Sequence, residues 1–312
     1  MAEADIPVDL FNPGQVFACL GFLEAADILL GDAEGGFDWH GEETLFRLRA
    51  TGESNPFEAV LNALTHAEVV RFGPNGYTET VPKEEDVGAH GEADHRIDLS
   101  ETFPVGEGDR MSLPIRIDWG NHPAIELGHW TDGSDRENFK LYSGNRSADK
   151  IVSAMLKGVR KKPSKQQTQN GQRGDLKTKG LVQLWEENAE ELTEKPFHLL
   201  TPMGGSFNFD PHGAWTALDA GYSPNDQKPK HSVEASPVVE FFAAWGLEHA
   251  RPEVFNGRLV RYAVWGIPLS AMLARASLIG AISSIPVRYF RFKLAYSGKN
   301  KIVTFSEEEI HP

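Results

Sequence analysis

The sequence predicts an α+β fold, with mixed or antiparallel sheets, packed helices and a flexible basic loop in mid-chain. Three observations carry that expectation. Short apolar/polar alternations of strand type recur along the chain, as in Phe46–Arg49 and Leu113–Trp119. Helical runs open on Asn-Pro or Ser-Pro pairs, at Asn12-Pro13, Asn55-Pro56 and Ser236-Pro237. The two kinds of element mix without a regular βαβ rhythm, and no fixed-period repeat is present.

In order, the first predicted element is a helix over Pro13–Leu30, capped by Asn12 and stopped by Gly31. It is apolar nearly all round, so it is expected to be buried on most faces. Gly14 and Gly21 weaken it in isolation but suit close packing. Phe46–Arg49 reads as a strand and Pro56–Val70 as a second helix. Residues Asn75–Asp109, rich in Gly, Glu, Asp and Pro, read as a long loop or weak hairpin. Leu113–Trp119 alternates as a strand. A short helix follows over Ala148–Lys157, capped by Ser147, and another over about Gly180–Leu192. Ser206–Asp210 reads as a strand ahead of a turn-rich segment. Ser236 caps a helix with Val238, Phe241, Phe242 and Trp245 inward. Leu259–Trp265 is a predicted strand, Leu269–Leu278 a helix, and Val287–Tyr296 a strand hairpinned through Ser297–Asn300 to Lys301–Phe305. The organisation read from these signals is an α+β region over 1–156, a basic segment over 157–179 and a second α+β region over 180–312. The alternative is that the outer two form one continuous domain.

The chain has 312 residues, 40% of them hydrophobic, and a net charge of −14. Mean hydropathy is −0.38. No apolar run approaches the ~20 residues that a membrane helix needs, and the opening MAEADIPVDLF lacks a basic-then-apolar leader. Cys19 is the only cysteine, which excludes disulfides within the chain and a Cys-based zinc site. These features fit a cytoplasmic protein without a membrane association and without a cofactor.

Lys157–Lys179, KGVRKKPSKQQTQNGQRGDLKTK, departs from this acidity. Lys157, Arg160, Lys161, Lys162, Lys165, Arg173, Lys177 and Lys179 stand against Asp175 alone, a net of +7, so the rest of the chain carries −21. Cations confined to one polar segment give an electrostatic footprint for a polyanion. Nearly free of large apolar residues, the segment is expected to stay flexible until something binds it. The plain alternative is a solvated surface loop. Upstream, His129–Lys150 interleaves Trp130, Phe139 and Tyr142 with Arg136, Lys140, Arg146 and Lys150. Aromatic faces stack bases while cations hold phosphates; equally, the aromatics belong to a core. Trp130, Lys140 and Arg146 join the eight cations as candidate nucleic-acid contacts. Phe207, Asn208, Phe209, Trp215 and Tyr222 form a second aromatic-polar run that reads as a functional surface. Arg288, Arg291, Lys293 and Lys299 alternate with aromatics near the C-terminus.

Three groupings of acids and histidines bear on catalysis: Asp210, His212 and Asp219; Asp118, His122, His129 and Asp132; His90, Asp94 and His95. None has the spacing of a metal site, and Asx residues beside Gly and Pro ordinarily cap turns. No Gly-x-Ser-x-Gly elbow and no Gly-x-x-x-x-Gly-Lys-Ser/Thr loop occurs. Cys19, within an apolar helix, is expected to be inert.

Six segments carry a family resemblance: NPGQVFACLGFLEAADILLGDAEGGFDW, KLYSGNRSADKIVSAML, GSFNFDPHGAWTALDAGYSPNDQK, SPVVEFFAAWGLEHARP, VRYAVWGIPLSAMLARASL and FRFKLAYSGKNKIVTF. Together they resemble CRISPR-associated proteins of type I-U (I-G) systems. Pro13–Leu30 is also similar to the first helix of large subunits in type I effector complexes. The resemblance implies a non-catalytic subunit of a Cascade-type surveillance complex. Its partners would be CRISPR guide RNA, target DNA and other Cas subunits, the helicase-nuclease among them. The chain is short for a large subunit, so an accessory or backbone-type subunit stands beside that assignment. The other readings are a metal-dependent nuclease built on Asp210, His212 and Asp219, and a purely structural scaffold.

Overall fold

The computed structural model describes residues 1–73, 77–79, 114–129, 139, 141–142, 147–203, 206–213, 233–255, 258–282, 284–297 and 300–310. The described part is an α+β fold whose sheets are all antiparallel.

The N-terminal sheet comprises β1 (Ala2–Pro7), β2 (Glu34–Asp38) and β3 (Leu45–Ala50). Its order is β1-β3-β2, and β14 (Leu269–Ser270) extends it beyond β2. A second sheet runs β5 (Tyr77–Glu79), β4 (Glu68–Gly73), β6 (Ile115–Asp118), β7 (Ile125–Leu127). The third runs β12 (Glu253–Phe255), β13 (Leu259–Trp265), β15 (Val287–Ser297), β16 (Asn300–Val303), with β17 (Glu307–Glu309) also on β15. Two ribbons pair β8 (Val159–Arg160) with β9 (Leu176–Thr178), and β10 (Thr201–Pro202) with β11 (Glu234–Ala235).

The helices are α1 (Pro13–Leu30), α2 (Pro56–Leu64), α3 (Ala148–Lys157), α4 (Lys165–Gln169), α5 (Leu181–Glu194), α6 (Pro237–His249) and α7 (Ala271–Leu278). Asn12, Asn55 and Ser236 cap α1, α2 and α6 through their side-chain oxygens, ahead of proline. At the centre, α1 lies against α6. Their backbones touch because Gly21 and Gly246 lack side chains: a Cβ on Gly21 would strike the Phe242 carbonyl, and one on Gly246 the Phe17 carbonyl. Phe22 and Phe242 stack beside the crossing, 3.7 Å between ring centroids. By length and composition alone, α1 is apolar enough to cross a membrane, yet 78% of that window is buried inside the fold. It is a core helix, and its carboxylate Glu24 is held by a bidentate pair with Arg275 of α7.

Tyr262 ties the third sheet to the chain entering α1. Its hydroxyl lies 2.8 Å from the Leu10 carbonyl and 2.8 Å from Ser306 Oγ. Tyr262→Phe is expected to cost about 1 kcal/mol, read from the urea midpoint; an unchanged midpoint would show that solvent replaces the lost donor.

Several expectations are corrected. The second helix stops at Leu64 rather than Val70, because Glu68–Arg71 is drawn into pairing with β6. Ser206–Asp210 is not a strand: Asn208 takes φ +66°, and the Phe209 and Asp210 N–H groups turn inward to Glu240. Leu269–Ser270 pairs with β2 before α7 begins. The Asn75–Asp109 reading lies outside the described residues, Tyr77–Glu79 apart.

Candidate nucleic-acid interface

The cationic stretch, expected as a flexible loop, carries hydrogen-bonded secondary structure. The chain leaves α3 at Gly158, whose φ of +68° and contact with the Thr178 carbonyl admit only glycine. β8 and β9 then pair across a bulge, and Lys161 N donates to the Asp175 carbonyl at 2.8 Å. Gly174 lets this second leg pass against the Lys161 backbone. The ribbon is closed by α4, which has a capping box: Ser164 Oγ accepts from Gln167 N at 3.2 Å, and Gln167 Oε1 accepts from Ser164 N at 2.8 Å. Gln167 Nε2 donates to Asp175 Oδ1 at 3.1 Å, binding tip to leg. Order here comes from backbone pairing and caps, not from burial of apolar side chains.

The ribbon presents its charge outward. Lys157, Arg160, Lys161, Lys162, Lys165, Arg173 and Lys177 are exposed, and none has an ion-pair partner among the described residues. Lys179, half-buried at the base, is the exception, with its Nζ 2.6 Å from Glu187. The one acid of the stretch, Asp175, is engaged by Gln167. A row of unneutralised cations on an ordered scaffold binds polyanions at a smaller ordering cost than a loose chain does.

Trp130, Lys140 and Arg146 lie outside the described residues, as do Trp215, Tyr222, Asp219, Asp132 and the His90–His95 group. Phe139, Tyr142, Phe207 and Phe209 are buried side chains of the core, which removes them as a binding surface. Arg288 and Arg291 are already paired with Glu308 and Glu307 of β17.

No family model, curated protein or solved structure matches this chain.

The described acids and histidines Asp210, His212 and His129 serve as structural joints. Asp210, fully buried, accepts from Ser236 N at 2.8 Å and from Asn12 Nδ2 at 3.1 Å, and lies 2.8 Å from His212 Nδ1. That hydrogen bond raises the His212 pKa, against burial and with help from the charges of Asp210 and Asp9. Glu240, also buried, accepts from Phe209 N and Asp210 N through Oε1, at 3.0 and 2.8 Å. Burial, aided by the Asp210 charge and opposed by its backbone hydrogen bonds, pushes the Glu240 pKa up to about 8. The Glu248 carboxylate accepts from Gly128 N and His129 N, both at 2.7 Å. Burial lowers the His129 pKa. Cys19 is buried, which pushes its thiol pKa up, as its place in an apolar helix predicts. Among the described residues, no three His, Cys, Asp or Glu side chains converge as a metal site.

Sequence reasoning about charge passed over the ribbon's tip. Gln166, Gln169, Asn170 and Gln172 are exposed there, and their amides have no side-chain hydrogen bond among the described residues. The Ser164-x-x-Gln167 capping signature marks this helix in the sequence itself.

Proposed function

We propose that this chain is a non-catalytic subunit of a type I-U (I-G) CRISPR RNA-guided surveillance complex. It contacts guide RNA or target DNA and sits among neighbouring Cas subunits. The family and the partners rest on the sequence resemblance. The nucleic-acid contact is supported by one structural observation: seven exposed cations, without acidic partners among the described residues, on an ordered ribbon in a chain of net charge −14. Such a surface holds phosphates and positions the duplex or heteroduplex, while base pairing with the guide reads the sequence.

The test is the salt dependence of binding. Neutralising Lys157, Arg160, Lys161 and Lys162 to alanine should weaken complex–DNA affinity at low salt. The log–log salt slope should flatten by about 3 to 4, since each phosphate contact contributes ~0.9. Unchanged affinity and unchanged slope would remove the ribbon from the interface. Co-expression with the neighbouring gene products, followed by sequencing of bound RNA, tests the complex itself; a chain that purifies without partners or RNA sinks that reading.

A further inference from the structure

The ribbon carries two kinds of side chain. Cations flank the tip and begin it: Lys157 at the end of α3, Arg160, Lys161 and Lys162 on the leading leg, Lys165 at the first position of α4, and Arg173 and Lys177 on the returning leg. Amides occupy the tip: Gln166 and Gln169 on α4, Asn170 at its end and Gln172 just beyond the Gly171 turn. The two amides with structural work are separable from these, because Gln167 is consumed by the capping box and by Asp175, while Gln183 caps α5 at Gly180. The four tip amides are exposed and stabilise nothing described in the fold.

We propose that the tip enters the major groove of B-form duplex DNA and reads adenine, while the legs hold the phosphates on either side. This rests on the nucleic-acid reading of the ribbon and adds the ligand's form and the residues that select it. Glutamine and asparagine are the side chains whose paired donor and acceptor match adenine N6 and N7, an edge presented only in the major groove. A helical turn about 10–12 Å across fits a groove about 12 Å wide. The deep, narrow major groove of A-form RNA excludes it. No aromatic residue lies between Lys157 and Lys179, so the ribbon has no platform on which to stack the bases of a single strand. The cap and the Gln167–Asp175 bond fix the tip before binding, as base reading requires.

The experiment is selection by the full-length protein from a randomised short-duplex DNA pool, followed by affinity measurements on the winners. Adenine is expected to be enriched at one or more positions. Replacing it with 7-deazaadenine, which removes only the N7 acceptor, should weaken binding about tenfold. The variant Gln166→Ala/Gln169→Ala/Asn170→Ala/Gln172→Ala should lose the preference and keep the salt slope. The variant Lys161→Ala/Lys162→Ala/Arg173→Ala/Lys177→Ala should lose affinity for every duplex and flatten the slope. No enrichment, a tip variant with the wild-type preference, indifference to 7-deazaadenine, or tighter binding of single strands each overturns the groove-reading tip. If only the leg variant is affected, phosphate contact stands without base reading. If the leg variant binds normally, the nucleic-acid reading beneath it fails as well.

Discussion

Gly21→Ala is expected to destabilise the fold by about 3 kcal/mol, at the upper end of the range for inserting a methyl group into a packed core. The sign makes the prediction sharp. In an exposed helix the same change is stabilising by about 1 kcal/mol, because alanine has less backbone freedom to lose. Here the new Cβ falls on the Phe242 carbonyl, a backbone atom that cannot rotate away. Helices α1 and α6 must move apart, and the Phe22–Phe242 stack at 3.7 Å opens with them. Gly246→Ala meets the Phe17 carbonyl from the other side and should cost a similar amount. The double variant should cost less than the two singles combined, since helices already separated by one methyl admit the second. Gly41→Ala, in a loop where a Cβ makes only an ordinary 3.5 Å contact, is the control and should stay within about 0.5 kcal/mol. Urea midpoints of the four variants, read against wild type, decide the matter. A Gly21→Ala protein as stable as wild type would mean that the crossing is looser than the structure places it.

That crossing also shows what the sequence makes legible. The Asn-Pro and Ser-Pro starts gave α1, α2 and α6 their first residues, because a cap is a local interaction and leaves a local signature. Glycines at 14 and 21 suggested close packing, but their partners, the Phe209 and Phe242 carbonyls, come from more than 190 residues away in sequence and leave no local trace. β2 was missed for a related reason. Glu34-Gly35-Gly36-Phe37-Asp38 has poor strand propensity, yet Gly36 is needed where the Ile267 carbonyl passes and Gly35 where the Phe46 ring packs. Strand propensity yielded there to tertiary contact. In the basic stretch, charge was readable and order was not. Low apolar content argued for flexibility, whereas the β8–β9 pairing and the Ser164–Gln167 box supply hydrogen bonds, and Gly158 and Gly174 let the backbones approach. In the Arg288–Lys299 run the alternation was readable and the ion pairs were not, because Arg288 and Arg291 meet their partners only when the acidic β17 strand is laid beside them.

The second large effect concerns pH. Glu240 is fully buried, its Oε1 is satisfied by two backbone N–H groups, and its Oε2 has no partner among the described residues. With a folded pKa of about 8, the side chain holds its proton at neutral pH. In the unfolded chain it titrates near an ordinary ~4.3. The folded state therefore binds more protons than the unfolded state between those values, and stability must fall as pH rises through that window. The contribution is fully present below about 4.3 and is lost as pH rises through about 8. One proton corresponds to about 1.4 kcal/mol per pH unit, so the loss from pH 5 to pH 8 is on the order of 3 kcal/mol. Glu240→Gln keeps the acceptor for Phe209 N and Asp210 N and removes the titration. Relative to that variant, wild type should be progressively less stable as pH is raised from 5 to 8. His212 titrates in both proteins, so the difference between their unfolding free energies isolates residue 240. If that difference does not change between pH 5 and 8, Glu240 does not carry a buried proton. If it follows the expected slope, the joint between Asp210 and α6 is held by a protonated carboxyl and weakens as pH rises from about 5 to about 8.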